Sequence, residues 1–420
     1  MKIAIVGAGI SGLVAAYHLS REHDVTVFER NAYAGGHANT VTVQTASGPL
    51  GLDTGFIVYN ERTYPLFSDL LSQLGVDTQP SEMSFSVSCR RCRLEYSSRY
   101  PRGLFAQPYR LVDPRFLRML AEIGRFNRWG TAARNDPRLA RVSLDEGLKE
   151  QKFSRAFVDH YILPMTSAIW SASAASASQF PLSYFLQFFH NHGLLQVSGQ
   201  PQWRTVTGGS QRYVERLTRR LADHLYLSTP VRSIRRDAAG VEIETDHGSL
   251  PCDKLVLATH TDEAIQLLSD ADAAERAALS AVPYVENEAV LHTDRRLLPR
   301  RRVSWSSWNY HVDDCRAGDQ PLRMTYYLNQ LQALRVATDY CVTLNQTDAI
   351  DPEHTLARIT YHHPVYTREG LAARQRLKTL SGRKHTYFAG AYLGYGFHED
   401  GVRSALDAVD ALQRRVVSVS

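Results

Sequence analysis

The chain opens on an apolar run, Ile3-Ala4-Ile5-Val6, with no polar residue to mark an outward face. That is the pattern of a strand buried on both sides in a parallel sheet. A glycine-rich turn follows, then an apolar helix from about Ile10, then a short strand, Val25-Thr26-Val27-Phe28. Farther on, Phe116, Leu117, Leu120, Ile123 and Phe126 recur at helical spacing, and residues 153–167 and 181–189 predict further apolar helices. Residues 285–293, 303–310, 323–329 and 356–362 read as strands. The last element is a helix over about 402–415. His, Gln, Ser or a charge breaks every long apolar stretch, so no segment reads as a bilayer-spanning helix. There is no internal repeat.

At 420 residues the chain is too long for one ordinary core, and two interleaved domains are expected. With 44% hydrophobic and 22% charged residues, composition is that of a folded globular protein. The strand that begins by residue 3 leaves no room for a signal peptide, and a cytoplasmic location is the expectation. Five cysteines at irregular spacing argue against a disulfide framework. Cys89 and Cys92 form a lone CxxC; zinc needs two more ligands, and no second pair offers them. With Arg90, Arg91 and Arg93 around it, the pair reads as a solvated basic loop, with a redox pair as the alternative, and no metal is expected. Only six of the 48 basic residues are Lys. Arginine clusters at 90–93, 295–296, 300–302 and 414–415 suit an anionic membrane surface. No nucleic-acid module accompanies them, which argues against a nucleic-acid partner.

The chemistry begins at Gly7-Ala8-Gly9-Ile10-Ser11-Gly12, directly after the first strand. Gly7 permits the tight turn, Gly9 lets the backbone approach a diphosphate, and Gly12 lets the helix pack close to the sheet. The helix from Ile10 aims its amides at the phosphates. Glu29, at the end of the second strand, can accept hydrogen bonds from ribose hydroxyls. Together these call for a dinucleotide.

The next pieces narrow it. Arg30 is followed by Gly35-Gly36-His37 and Leu52-Asp53-Thr54-Gly55, and a strand begins near Val231. Later come Phe388-Ala389-Gly390 and Gly394-Tyr395-Gly396-Phe397-His398-Glu399-Asp400-Gly401, then Val402. In this order they resemble the FAD-dependent amine oxidases and phytoene desaturases. The resemblance implies a Rossmann-like FAD-binding domain of the glutathione-reductase type, an α/β fold with an inserted α+β substrate domain. It also implies that the second glycine turn sets a helix start against the flavin. His37 stands where the family usually has Arg, and Ala391 where it usually has an acid. No Cys lies in the C-terminal turn, so the FAD is expected to be non-covalent.

The FAD domain is then expected from residues 1–82, 196–282 and 373–420, and the substrate domain from 83–195 (mainly helical) and 283–372 (mainly sheet). Aromatic residues of the inserted segments, Phe185, Phe189, Trp308, Tyr310 and Tyr327 among them, suggest an apolar substrate pocket. Residues 255–377 contain no Lys, which weakens an amine-oxidase reading, because that family commonly places a Lys near the flavin. His398 and Tyr395 are the candidate proton handlers, with His362 and His363 behind them. The C-terminal turn and the Trp308–Tyr310 and Tyr326–Asn329 segments resemble a bacterial subgroup associated with lipid methyltransferases of the cyclopropane-fatty-acid-synthase type. That resemblance implies hydride transfer from a fatty-acyl chain of a lipid to the flavin, with an electron acceptor left unidentified. A polyene desaturase or an amine oxidase is the alternative. An acyl substrate further suggests peripheral membrane binding, through the arginines and an apolar helix over about 180–195.

Overall fold

The computed structural model describes residues 1–196, 198–221, 223–316 and 321–417. Its first strand, Lys2–Val6, lies in the middle of a five-stranded parallel sheet. The strand order is Leu225–Tyr226, Asp24–Phe28, Lys2–Val6, Lys254–Leu257, Thr386–Phe388. The apolar run over residues 3–6 has its expected cause. Ile3 and Ile5 enter the core beneath the helices Ile10–Leu19 and His398–Val417, while Ala4 and Val6 enter a second core on the opposite face. That second core is closed by an antiparallel sheet, Val231–Arg236, Val241–Thr245 and Gly248–Cys252.

A third core fills the rest of the molecule, between a seven-stranded mixed sheet and a helical layer. The strand order is Thr355–Pro364, Tyr284–His292, Cys341–Leu344, Met324–Tyr327, Trp308–Val312, Phe85–Cys89, Leu94–Ser97. Neighbours are antiparallel except Trp308–Val312 and Phe85–Cys89, which run parallel. The helices Pro114–Ala133, Leu163–Trp170 and Leu182–Asn191 pack into this core through Phe116, Phe126, Trp170, Phe185 and Phe189.

Several boundaries differ from the sequence expectation. Residues 83–195 are not all helical at their start, because Phe85–Cys89 and Leu94–Ser97 complete the seven-stranded sheet. Residues 303–310 become a strand only at Trp308, after the 3-10 turn Arg302–Ser304. The helix expected over 153–167 is Arg155–Phe157, a π-turn Val158–Ile162 and Leu163–Trp170 in succession. The last helix starts at His398, four residues early, which makes His398 part of its first turn.

Candidate functional site

The strands Lys2–Val6, Asp24–Phe28, Lys254–Leu257 and Thr386–Phe388 run parallel, so their C-terminal ends share one edge of the sheet. Ligands of open α/β sheets bind at that edge. Gly7 (φ 100°) turns the chain there. A Cβ on Gly7 would sit 2.8 Å from the Ala258 carbonyl oxygen, and one on Gly12 would overlap the Gly7 carbonyl. Gly9 differs, because a Cβ there would meet nothing within 4 Å. The space in front of it is a cradle that only glycine leaves open, which fits a diphosphate. Gly35 donates its amide to Ala8 O (2.8 Å), and a Cβ on Gly36 would come within 3.2 Å of Gly9 Cα. The two glycine segments therefore lie side by side. Glu29 accepts amide hydrogens from Ala8 and Asn31, both at 2.9 Å, which fixes its carboxylate and leaves lone pairs for a ribose. Thr229 donates to the Glu29 carbonyl (2.8 Å) and so brings the Val231 strand to the same corner. Arg30 reaches outward to Glu263, at 2.6 Å.

The C-terminal turn closes the opposite side. A Cβ on Gly401 would lie 2.7 Å from Ile10 Cγ2 and 3.1 Å from Ser11 Oγ, so the two helix starts touch. Val402 is buried beneath them. Gly390 donates its amide to Ser404 Oγ, and its missing side chain makes room for the Tyr392 ring. The carboxylates of this turn are committed. Glu399 accepts from the Leu66 and Phe67 amides, capping the Pro65–Gln73 helix, and pairs with Arg403. Asp400 accepts from the Phe397 amide at 3.0 Å, and burial still pushes its carboxyl up to about 6.

His398, the candidate proton handler, is held by its neighbours. Its ring stacks on Phe56 at 3.5 Å, its Nε2 hydrogen-bonds the Tyr213 hydroxyl at 2.8 Å, and burial lowers its pKa to about 3. A group that weakly basic is a poor proton acceptor near neutral pH. Its contacts fit anchoring of the helix start. Other imidazoles gather elsewhere. His37 stacks on Tyr361 (4.8 Å) and meets His363 edge-on (5.2 Å), with His260 6.5 Å away. Tyr361 is hydrogen-bonded to Thr54 Oγ1 at 2.8 Å, and a Cβ on Gly55 would come 3.2 Å from its ring. Asn287, within hydrogen-bond distance of His363 Nδ1, also donates to Ser171 O. Burial and then the neighbouring imidazoles push His37 well below the usual histidine range, and likewise His363, to about 4. This is a cluster of neutral rings next to the Gly35–Gly36 segment. Sequence reading missed Tyr361, Asn287 and His260; the last stood in view, just past the strand Lys254–Leu257.

Of the expected pocket aromatics, Phe185 and Phe189 belong to the core instead. Their rings lie 4.0 Å apart against Phe126, fully buried. The other face of the same helix meets the C-terminal turn: Tyr184 stacks on Tyr395 (4.5 Å) and Tyr366 (5.3 Å), and Phe188 on Phe397 (5.2 Å). Arg374 lies over Tyr184, with its guanidinium on the Gly394 carbonyl. Trp308, Tyr310 and Tyr326 share one face of the sheet, with Tyr310 turned to Ser167 and Tyr326 to Ser171. Tyr327 points the other way, because successive strand residues alternate. It donates to Asp339 (2.6 Å) and lines a cleft of about 330 Å³ with Arg99, Arg302 and Trp305. The apolar helix proposed for membrane contact is likewise buried in the core.

The CxxC also departs from expectation. His160 and Cys315 come from distant segments to join Cys89 and Cys92, and all four ligand atoms lie within 4.8 Å of one another. The two missing metal ligands are therefore present, from segments that no local spacing connects.

The profile of the family described as flavin containing amine oxidoreductase matches residues 10–329. A putative flavin-containing monoamine oxidase, AofH, of Mycobacterium tuberculosis is 28% identical over 274 residues, covering 61% of this chain and 56% of that protein. The chain thus spans about half the length of the curated relatives it matches. A 4,4'-diapophytoene desaturase of Staphylococcus aureus is 52% identical over 40 residues, 9% of this chain and 8% of that one. Among solved structures, cyclohexylamine oxidase from Brevibacterium oxydans superposes with a TM-score of 0.71 at 17% identity over 99% of both chains. A CLA-producing fatty acid isomerase from P. acnes does so with 0.67 at 18% identity over 98% of both. These structures share the fold, a Rossmann-like FAD domain with a substrate domain, and the glycine cradle described above fits the FAD that such a fold holds. With most of its length under the family profile, the chain belongs to the FAD-dependent flavin containing amine oxidoreductases.

Proposed function

We propose that the protein is an FAD-dependent dehydrogenase that introduces a double bond into fatty-acyl chains of lipids. The observation that carries this reading is the wall around the C-terminal turn. Tyr184, Phe188, Tyr366, Tyr395 and Phe397 form it, while its carboxylates, Glu399 and Asp400, are engaged by backbone amides. Such a wall gives an apolar chain contact area, and it leaves an ammonium group no unengaged carboxylate of the turn to pair with. Residues 255–377 hold no Lys, and the same fold serves a protein described as a fatty acid isomerase.

Bound FAD would supply a two-electron acceptor, held by the Gly7–Gly12 turn, Glu29, Gly35–Gly36 and the Gly401 helix start. An unactivated chain has no acidic proton, so the aromatic wall must contribute mainly by placement and by excluding water. The second hydrogen leaves as a proton to water, and His37 and His363, both neutral, would hold and orient that water through hydrogen bonds. Tyr395 belongs to the aromatic wall, stacked on Tyr184, while His398 anchors the helix.

An acyl lipid has to leave its bilayer. Tyr100, Tyr109, Leu111, Val112 and Leu117 are exposed together with Arg102 and Arg115 on one stretch of chain, an apolar and basic patch suited to an anionic membrane. Binding to anionic liposomes should weaken as salt rises and on Val112→Asp.

Amine oxidation is the second reading, favoured by the monoamine oxidase relatives. Anaerobic reduction separates the two. An unsaturated or methyl-branched phospholipid should bleach the flavin; rapid bleaching by simple amines and by no lipid would overturn the acyl reading. Bleaching by a polyene alone would favour a carotenoid-type desaturase.

A further inference from the structure

Away from the flavin cradle, we propose that Cys89, Cys92, His160 and Cys315 form a structural zinc site that fastens the helical layer of the substrate domain to its sheet. Every pair of the four ligand atoms lies within 4.8 Å, and Cys92 Sγ is 3.3 Å from His160 Nε2. Tetrahedral zinc, with Zn–S near 2.3 Å and Zn–N near 2.0 Å, separates its ligand atoms by about 3.5–3.8 Å. The bound of 4.8 Å is within about 1 Å of those separations, so small side-chain adjustments would close the cluster around one ion.

The supporting contacts are those of a metal-bound histidine. His160 Nδ1 lies 3.3 Å from the Ala156 carbonyl. Donation there leaves the Nε2 lone pair facing the thiols, the outer-shell bond that orients such ligands. The ring is carried on the π-turn Val158–Ile162, a local irregularity that often marks a functional position. The sheet side is equally prepared. Arg90 and Arg91 donate their amides to the carbonyls of Val312 and Asp313, so the CxxC turn is laced to the segment that leads to Cys315. Arg91 also pairs with Asp314 at 2.8 Å.

Charge agrees with this assignment. Binding releases the thiol protons, and three thiolates leave the zinc complex with one negative charge. Arg90, Arg91, Arg93 and Arg316 surround it in sequence, which gives the basic loop a partner. Four protein ligands leave no open position, so the ion is structural and not catalytic. Its ligands join the Phe85–Cys89 strand, its turn, the end of the Trp308–Val312 strand and the helical layer.

The test is elemental analysis of the full-length flavoprotein, purified without a metal-affinity step and under thiol reductant. About one zinc per chain is expected. Cys92→Ser with Cys315→Ser should reduce it at least tenfold while FAD content stays stoichiometric, since neither residue touches the cradle. Cobalt should replace zinc and give the visible bands of a tetrahedral thiolate site in the native protein but not in the double variant. Chelator-stripped protein should melt at lower temperature and recover when zinc returns. Zinc-free protein that takes up neither metal would overturn the proposal, as would undiminished zinc in the double variant. A Cys89–Cys92 disulfide in metal-free native protein would replace it with a redox pair.

Discussion

Glycine at two neighbouring positions does two different things, and substitution should separate them. A methyl on Gly12 would overlap the Gly7 carbonyl inside the protein itself, so Gly12→Ala should destabilise the fold by about 1–3 kcal/mol or more, read as a lower denaturant midpoint. A side chain on Gly9 meets only the open cradle, so Gly9→Val should leave a folded but colourless protein. Loss of fold at Gly9 with retained FAD at Gly12 would reverse the account. His398 makes a comparable point. Because its imidazole stacks on Phe56 and bonds Tyr213, His398→Ala should lower stability by roughly 2–4 kcal/mol. His398→Asn, which can keep a bond to the Tyr213 hydroxyl, should leave the pH dependence of flavin reduction unchanged. A shifted pH profile in that variant would restore His398 as a proton handler.

The helix Leu182–Asn191 shows how far its sequence was legible. Its apolar character was plain, but Phe185 and Phe189 face Phe126, while Tyr184 and Phe188 face the C-terminal turn. Aromatic residues on adjacent helical faces do not reveal which face is core, since both are apolar. Phe185→Ala should therefore cost about 3–5 kcal/mol of stability. Phe188→Leu should mainly raise KM for the substrate that reduces the flavin, with a change of a degree or two in melting temperature. The glycine turns and Glu29 were readable because their geometry is local, fixed by a few consecutive residues. Tyr327 was misplaced because a strand's two faces carry equally aromatic residues here. The Cys–His cluster was unreadable for the opposite reason. Its four members lie on segments up to 226 residues apart, and only the pairing of Phe85–Cys89 with Trp308–Val312 brings Cys89 and Cys315 together. Asp53, quoted only as part of a motif, holds a buried junction through Thr40, Ser210 and Gln332.

At the scale of the whole molecule, buried histidines should decide how the fold answers to acid. His292 is fully buried; Asp294 donates its amide to Nδ1 at 3.0 Å, and Nε2 donates to Thr343 Oγ1 at 2.7 Å. The bond accepted by Nδ1 requires the neutral ring, and burial lowers its pKa to about 4. His192 and His363 are lowered to about 4 and His398 to about 3, each first by burial. In the unfolded chain all four titrate near 6.5. Below that pH the unfolded state binds more protons, so this stability is present above about 6.5 and is lost as pH falls toward 4. Asp53 and Asp400 act in the opposite sense. Burial raises both carboxyls to about 6, so their contribution is present below about 4 and is lost as pH rises through 6. Four histidines displaced by two or more pH units outweigh two aspartates displaced by about two, and His37 adds to the histidine side. The net effect should be a loss on the order of a few kcal/mol between pH 7 and pH 4.5. Guanidinium midpoints of the flavoprotein, measured at half-unit intervals, should fall steadily across that range. A midpoint that rises toward pH 5 would mean that the two carboxyls dominate and that the histidines are protonated in the native fold.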